Sequence, residues 1–299
     1  MPGAAVTSPA SPVLVIGECV ADIVRTSDVP DRVHPGGSPA NVAYGLARLG
    51  RPATLLTELG PDANGRLIRR HLESAGVRVQ AAEVARTPSA VVELDGQGRA
   101  RYTFDIHWTL PPTELAEPPA AIHLGSIAAV TEPGAGSVLA LVERWRGHAR
   151  ISYDPNVRPA LMGDRAGAVR RVERWVALSD LVKVSDEDLD WLYPGERPEA
   201  VAERWLALGP AVVAVTLGAE GAFARTAGGG RAEAAALPVP VADTVGAGDA
   251  FMAAFLHAHA SGADLAVCLT QSVTAAALTV ARPGANPPSA AELTAALAD

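Results

Sequence analysis

Lysine is almost absent from the sequence. Of the 25 basic residues, Lys183 is the single lysine and all the others are arginine. A P-loop nucleotide site requires a lysine directly after a glycine, in the pattern GK[ST], whereas Lys183 lies in VKVS. The sequence therefore excludes P-loop ATPases, and any chemical step that needs a lysine must use Lys183.

Cysteine is also scarce. Cys19 and Cys268 lie far apart, and no second pair completes a CxxC or zinc pattern. We interpret both as buried thiols of a protein in a reducing cytoplasm. His257 and His259 in HAH do not suggest a metal site either, because histidines in an apolar helix more often pack or face solvent.

Long apolar runs and excess positive charge are missing as well. No run reaches the roughly 18 residues of a membrane span, and residues 1–12 have neither the basic start nor the apolar core of a secretory signal. The net charge of -8 argues against binding to the phosphate backbone of nucleic acid. We therefore expect a cytoplasmic protein with a disordered tail over residues 1–12, and neither nucleic acid nor membrane as a partner.

The sequence does contain a regular alternation of short apolar runs and helical stretches, which predicts an α/β fold. PVLVIGE (12–18) is typical of a buried first strand. Ser38 is expected to cap the helix that Pro39 opens and Gly50 ends, and Asp62 to cap the following helix.

Two segments interrupt this alternation, at about residues 19–35 and 89–106. Polar and apolar residues alternate in both, and the second contains the turn sequence DGQG, which indicates a β-hairpin. The sequence therefore predicts one domain over residues 13–299, from which these two segments form a small separate sheet.

The stretch DTVGAGDAF (243–251) precedes a long apolar helical run. If the helix begins near Gly246, the amides of Gly246, Ala247 and Gly248 are unpaired at the positive end of the helix dipole, where they form a cradle for an anion. A carboxylate beside a bound anion is electrostatically unfavourable, so Asp249 suggests a base that takes a proton from an attacking alcohol. The alternative is that Asp243 or Asp249 only caps a buried helix.

A dinucleotide-binding site is not supported. The pattern GxGxxG should directly follow a strand, but the first strand continues into GECVAD with one glycine. In GAGDAF, Phe251 stands where a third glycine is required.

The stretch DTVGAGDAF resembles the C-terminal signature of the ribokinase-like or PfkB carbohydrate kinases, and GGSPANVAYGLARLG (36–50) resembles their N-terminal glycine signature. DPNVRPAL (154–161) and HLGSIAAVTEP (123–133) are most similar to the fructokinase-type branch. The resemblance covers nearly the whole chain. It implies a ribokinase-like three-layer α/β/α fold with a central, mostly parallel sheet and a small β-sheet lid. We expect a homodimer through this lid, because its exposed apolar face and unpaired edge strands favour association.

The resemblance also implies a role for individual residues. Asp249 would be the catalytic base, with Gly246, Ala247 and Gly248 as the anion hole. The sugar would contact Asp22, Gly36, Gly37, Asn41, Ser126 and Arg158. ATP would contact Lys183, Ser185, Asp188, Thr216, Gly218, Gly221, Thr244, Val273 and Ala277. A potassium ion would be held, largely by backbone carbonyls, at Asp243, Val245, Thr279, Arg282 and Gly284.

Magnesium is the expected metal partner of ATP. The family organises it through an NxxE pattern, and this sequence has Ser185 and Asp188 at those two positions. Because Asp188 is shorter than glutamate, we expect it to act through metal-bound waters.

The acceptor is expected to be fructose or a similar ketose. The alternatives are a 2-keto-3-deoxy sugar acid, a phosphosugar, and ribose or a nucleoside. Arg25, Arg32, Arg99 and Arg101 near the small sheet keep the phosphosugar open. A sugar-binding regulator without transfer is the remaining alternative, and Asp249 argues against it, because a pure binder does not need a carboxylate against the anion cradle.

Overall fold

The structure is a computed structural model that describes residues 12–26, 30–94, 100–115 and 118–298. The predicted disordered tail therefore lies almost entirely outside the described residues, as does the predicted turn DGQG at residues 95–98.

Nine strands form one large sheet in the order β13-β12-β11-β10-β9-β8-β1-β4-β5. All neighbours from β5 to β11 run parallel, and β12 and β13 add two antiparallel strands at one edge. The strands are β1 (Val13–Ile16), β4 (Ala53–Leu59), β5 (Arg78–Glu83), β8 (Ala121–Gly125), β9 (Arg150–Asp154), β10 (Leu181–Ser185), β11 (Val212–Thr216), β12 (Ala222–Thr226) and β13 (Arg231–Ala234).

The other four strands form a separate sheet in the order β3-β2-β6-β7. They are β2 (Val20–Thr26), β3 (Arg32–Gly36), β6 (Ser89–Leu94) and β7 (Ala100–Asp105). Strands β2 and β6 pair in parallel, and the two outer pairs are antiparallel. The central, mostly parallel sheet with a smaller second sheet confirms the predicted fold class. The assignment of domain boundaries, the closing of the small sheet as a lid and the dimer stay predictions.

Helices cover both faces of the large sheet. They are α1 (Ser38–Arg48), α2 (Ala63–Ser74), α3 (Gly134–Trp145), α4 (Pro159–Met162), α5 (Arg165–Leu178), α6 (Asp186–Leu192), α7 (Pro198–Leu206), α8 (Ala247–Ala260), α9 (Leu265–Val280) and α10 (Ala290–Ala298). Short 3-10 turns occupy residues 126–129 and 218–220.

The sequence of β1 shows why there are two helical layers. Leu14 and Ile16 belong to one hydrophobic core, and Val13 and Val15 belong to the core on the opposite face. All four side chains are buried, because successive side chains of a strand point to opposite faces and both faces carry helices. The first core contains side chains of α3, α5, α6 and α7, and the second contains side chains of α1, α2, α8 and α9.

The start of α1 differs from the prediction. Ser38 was expected to cap the helix, but Gly37 is the N-cap and Ser38 is already helical. Gly37 has φ +101°, and a side chain there would meet the Glu18 carbonyl oxygen at 2.5 Å. Glycine tolerates this positive φ and the close contact, so Gly37 takes the cap position and the helix begins one residue earlier in the sequence than predicted. The Asp62 cap is confirmed, since its carboxylate accepts a hydrogen bond from the Gly65 amide at 2.8 Å.

Candidate active site

The carboxyl ends of the parallel strands border the main cavity of the described structure. Its volume is about 1110 Å³, and its wall includes Ser126 after β8, Arg158 after β9, Ser185 at the end of β10 and Thr216 at the end of β11. The small sheet contributes the opposite side, including Asp22. Ligands of open α/β sheets bind at this edge, and the volume exceeds the usual range for one small ligand.

Helix α8 points its first turn into this cavity. Gly246, the N-cap, has φ +78°, and a side chain there would meet the Ala285 Cβ at 2.6 Å, so only glycine fits. Among the described residues, the amides of Gly246 and Gly248 make no backbone hydrogen bond. The Ala247 amide differs from the expectation of three unpaired amides, because it donates to the Thr244 carbonyl at 3.3 Å in the turn that precedes the helix.

Asp249 lies in the first turn of α8 and is 9% exposed. Two side chains of α1 hold its carboxylate. The Ser38 hydroxyl donates to Oδ1 at 2.6 Å, and the Asn41 amide donates to Oδ2 at 2.8 Å. Asn41, predicted as a sugar ligand, thus lies at the cavity and contacts the predicted base, and Ser38 is a polar neighbour that the sequence had not indicated.

Lys183 lies beneath the start of α8. Its Nζ is 3.0 Å from Asp154 Oδ2, and both side chains are buried. A Cβ on Gly248 would lie 3.1 Å from the same Nζ. Burial alone would lower the pKa of Lys183, but the carboxylates of Asp154, Asp188 and Asp249 raise it above its usual value. The anion cradle therefore has a buried positive charge directly behind it.

Asp154 is the partner that keeps this charge in place. Burial raises the pKa of Asp154 to about 6, against the attraction of Lys183, which lowers it. The pair joins neighbouring strands β9 and β10 at the edge that borders the cavity. A buried charge pair is costly to break from one side, because the remaining charge is left uncompensated.

Five of the six predicted sugar residues border the cavity: Asp22, Gly37, Asn41, Ser126 and Arg158. Burial raises the pKa of Asp22 to about 6, although His34 and Arg158 lower it. A side chain on Gly36 would overlap the Asp22 carboxylate, so this glycine, which lies outside the cavity wall, leaves room for Asp22 rather than for a ligand. Arg158 is held by the Asn156 side-chain oxygen at 2.7 Å.

Glu18 is a further cavity residue that the sequence had not indicated. It is 2% exposed and accepts a hydrogen bond from the Ala128 amide at 3.2 Å. Ser126 begins this same 3-10 turn with φ +53°, and its side chain also hydrogen-bonds the Glu18 carboxyl. Burial raises the pKa of Glu18 to about 7.

Residues predicted to bind ATP border the same cavity. Its wall includes Thr216, Gly218, Gly221, Thr244, Val273 and Ala277. Ser185 also lies in the wall, where its hydroxyl caps α6 by accepting from the Asp188 amide at 3.1 Å. Asp188 in turn accepts a hydrogen bond from the Val157 amide at 2.9 Å.

The magnesium prediction is compatible with this arrangement. The described residues contain no cluster of three or more metal-binding side chains. Magnesium nevertheless needs only one or two carboxylates when substrate phosphates supply other ligands. Asp188 has one carboxylate oxygen committed to Val157, and its second oxygen is available for such a role.

The predicted potassium residues surround the turn that precedes α8. Asp243 accepts from the Val245 amide at 3.0 Å and from the Gly284 amide at 2.9 Å. These two hydrogen bonds lower the pKa of Asp243. Thr279 is buried, and the Arg282 side chain is directed away to Glu292 at 2.7 Å, so any ligand from Arg282 has to be its carbonyl.

The fold and the cavity are those of an α/β enzyme whose ligand site lies at the carboxyl edge of a parallel sheet. Comparison with known proteins agrees with this class. The pfkB family carbohydrate kinases match the chain over residues 11–292. A fructokinase of Rhizobium leguminosarum bv. trifolii is 33% identical over 261 residues, which cover 82% of this chain and 78% of the relative.

Two solved kinases share the fold over almost their full length. The fructokinase of Vibrio cholerae O395, solved with fructose, ADP and a calcium ion, is 26% identical with a TM-score of 0.80, over 97% of this chain and 99% of that one. A double mutant of that protein was solved with fructose, ADP and a potassium ion. The aminoimidazole riboside kinase of Salmonella enterica is 26% identical with a TM-score of 0.79, over 96% and 99% of the two chains.

The chain belongs to the pfkB family of carbohydrate kinases. It is an ATP-dependent sugar kinase of the fructokinase-like type, which confirms the resemblance and the enzyme class predicted from the sequence. Within the described residues, no helix has the length and apolar character required to cross a membrane. The cytoplasmic location stays a prediction.

Proposed function

We propose that the protein is a fructokinase, which transfers the γ-phosphoryl group of ATP to a hydroxyl of fructose or a similar ketose. The observation that carries this proposal is the position of Asp249. It lies in the first turn of α8, nearly buried, and borders the same cavity as Gly246, Gly248 and Asp22. A base, an anion cradle and an acceptor pocket thus adjoin one another.

Asp249 is the general base in this proposal. It takes the proton of the acceptor hydroxyl as that oxygen bonds to the γ-phosphorus, and the bond from phosphorus to the bridging oxygen breaks to release ADP. The unpaired amides of Gly246 and Gly248 stabilise the charge that develops on the transferred group. Lys183, held by Asp154 at 3.0 Å, adds a fixed positive charge behind them.

The acceptor is held on the small-sheet side in this proposal. Asp22, Gly37, Asn41, Ser126 and Arg158 border that part of the cavity. They combine carboxylate acceptors with amide, hydroxyl and guanidinium donors, which suits a sugar whose hydroxyls each donate and accept. Gly36 acts by leaving space for Asp22.

ATP, magnesium and potassium complete the proposal. Thr216, Gly218, Gly221, Thr244, Val273 and Ala277 would contact the nucleotide, with Ser185 and Asp188 oriented toward its metal. Magnesium bound to the phosphates would neutralise their charge during transfer. Asp243, Val245, Thr279, Arg282 and Gly284 would hold potassium, mostly through carbonyls, and the lowered pKa of Asp243 keeps that carboxylate ionised beside the cation.

Fructose is favoured over a phosphosugar by the charges around the cavity. Among the described residues, the basic side chains of its wall are Arg158 and Lys183, and Lys183 is already paired. Arg25 makes ion pairs with Asp31 at 2.9 Å and Glu93 at 3.2 Å. Arg99, with the side chain of Arg101, lies outside the described residues, and Arg32 is not in the described wall. The similar fructokinases support the choice of a ketose.

Two measurements test this proposal. A panel of fructose, ribose, a 2-keto-3-deoxy sugar acid, fructose phosphates and nucleosides is screened for ADP release, and fructose should give the highest kcat/KM. A preference for a nucleoside by more than about 100-fold, equivalent to about 2.7 kcal/mol, would overturn the acceptor.

The second measurement concerns the base. Asp249→Asn should retain the fold and ATP binding, while kcat falls by roughly 10² to 10⁴. Asparagine keeps the shape and an acceptor oxygen but cannot take a proton. A variant that phosphorylates its best sugar at close to the wild-type rate would show that Asp249 is not the base.

A further inference from the structure

We propose that Ser38 is a positioning residue that orients the catalytic carboxylate of Asp249. The inference rests on the proposed function, because it concerns the base of that reaction. Its starting point is the hydrogen bond of 2.6 Å from the Ser38 hydroxyl to Asp249 Oδ1, between residues 211 positions apart in the chain.

The packing of α1 against α8 fixes this contact. Ser38, Asn41 and Gly45 follow one another at helical spacings of three and four, so they share one face of α1. Asp249 and Ala253 share a face of α8 in the same way. Gly45 approaches so closely that a Cβ on it would lie 2.8 Å from the Ala253 Cβ. The glycine contact thus holds the two helices in a register that brings Ser38 to Asp249.

The Ser38 hydroxyl is also free for this task. A serine at a helix start usually accepts a hydrogen bond from a backbone amide two or three residues later. Here Gly37 takes the N-cap position, and no side chain caps α1. An ionised carboxylate can only accept hydrogen bonds, so the Ser38 hydroxyl donates to Asp249.

The two donors bind different oxygens of the Asp249 carboxylate. Ser38 binds Oδ1 and Asn41 binds Oδ2 at 2.8 Å, which prevents rotation about the bond that carries the carboxylate. Asn41 is in addition a proposed sugar ligand, so its contact with Asp249 competes with the substrate. Ser38 has no such second assignment, and it is the donor that can keep the base oriented while Asn41 contacts the sugar.

Among the described residues, Lys183 on β10 and Asp154 on β9 are charged groups near enough to Asp249 for its carboxylate to raise the pKa of both. Neither is removed when the Ser38 hydroxyl is removed. A change in the pH dependence of Ser38→Ala can therefore be assigned to the lost donor, because the surrounding charges stay the same.

The test compares Ser38→Ala, Ser38→Thr and Ser126→Ala, with MgATP and the sugar that gives the highest kcat/KM in the panel. Alanine is a better helix former than serine and no cap is lost, so Ser38→Ala should fold. Its kcat should fall roughly 10- to 100-fold, the usual effect of a misplaced catalytic group, while the sugar KM changes less than about threefold.

Two further readouts separate positioning from a structural or sugar-binding role. The acid limb of the kcat profile should move to higher pH in Ser38→Ala, because a carboxylate that has lost a hydrogen-bond donor is protonated more easily. Ser38→Thr retains a hydroxyl and should restore most of kcat and the wild-type limb. Ser126→Ala, which removes a hydroxyl that borders the same cavity, should raise the sugar KM with a smaller effect on kcat than Ser38→Ala.

Three results would overturn the inference: a raised sugar KM at unchanged kcat in Ser38→Ala, an unmoved acid limb, or no rescue by threonine. Asp249→Asn measured alongside distinguishes this from failure of the proposed function. If Asp249→Asn is inactive while Ser38→Ala behaves as wild type, only the role of Ser38 is wrong. If Asp249→Asn is active, the base itself is wrong.

Discussion

Replacing Glu18 with glutamine should stabilise the protein, and increasingly so as the pH rises. Glu18 is 2% exposed beneath the acceptor side of the cavity. Burial raises its pKa to about 7, even though hydrogen bonds from its own backbone amide, Ser126 and Ala128 and the charge of Arg158 oppose the shift. Near neutral pH the folded protein therefore has to ionise a carboxyl that its surroundings favour in the protonated form.

The magnitude follows from the difference between the folded and unfolded states. The pKa is 4.5 in the unfolded chain and about 7 in the fold, which corresponds to about 3 kcal/mol at about 1.4 kcal/mol per pH unit. Because the folded pKa is the higher one, this stabilisation is fully present below pH 4.5 and is lost as the pH rises through about 7. Glutamine resembles the protonated acid and does not titrate, so the variant should not show this loss.

The assay is thermal unfolding of wild type and Glu18→Gln between about pH 5 and about pH 8.5. The melting temperature of the variant relative to wild type should increase over this range by roughly 6 °C, taking about 2 °C per kcal/mol for a chain of this size. Glu58→Gln is the matched control. Glu58 is 1% exposed but accepts from both the amide and the hydroxyl of Thr109, so its substitution should lower the melting temperature at both ends of the range.

The result that would refute this reasoning is a difference between wild type and Glu18→Gln that is constant with pH, or one that favours wild type at high pH. The second outcome would mean that ionised Glu18 is stabilised in the fold, with Arg158 as the charge that attracts it.

Other predictions concern packing, acid stability and assembly. Gly45→Ala should lower stability by about 1–3 kcal/mol through overpacking against Ala253, and Ala253→Gly in the same chain should recover part of it in denaturant titrations. Hydrogen bonds from Ser289 and Arg282 lower the pKa of Glu292 to about 2. The stabilisation that ionised Glu292 provides, about 1 kcal/mol for an exposed network, is therefore present above pH 4.5 and is lost as the pH falls through about 2. The melting temperatures of Glu292→Gln and wild type should converge at that low pH. Sedimentation at micromolar concentration should give a dimer, and a monomer would contradict pairing through the small sheet.

The fold class was predictable because its signals are local. A continuous apolar run such as VLVI in β1 is what a strand buried on both faces requires. The alternating segments of the small sheet differ from it because only one face of each can be covered. Strand order along the large sheet has no comparable local signal, since it depends on which helices cross which face.

For the candidate site, the sequence could single out one short segment, DTVGAGDAF, most of whose residues border the cavity; their roles stay predictions. Contacts between distant segments were not predictable. Ser38 was expected to cap α1, but Gly37 takes the cap position, and the Ser38 hydroxyl donates a hydrogen bond to Asp249 instead. The Asp154 and Lys183 pair depends on β9 and β10 being neighbours. The single lysine of the chain was the available signal, because any step that needs a lysine must use Lys183. The sequence did not indicate which residue would pair with it.

In Gly248→Ala, contact with Lys183 is expected to lower activity, although alanine is a better helix former than glycine. Gly248 lies within α8, where alanine is favoured over glycine by about 1 kcal/mol, so the variant should be as stable as wild type or slightly more so. A Cβ there would lie 3.1 Å from Lys183 Nζ, and Lys183 is buried and bound to Asp154, so the ammonium has to move away from the cradle. We expect kcat to fall roughly 10²-fold. Gly136→Ala in α3, where the nearest atom is the Glu132 carboxylate at 3.4 Å, should leave kcat unchanged. If Gly248→Ala keeps wild-type kcat and ATP KM, neither Lys183 nor the start of α8 stabilises the transferred phosphoryl group.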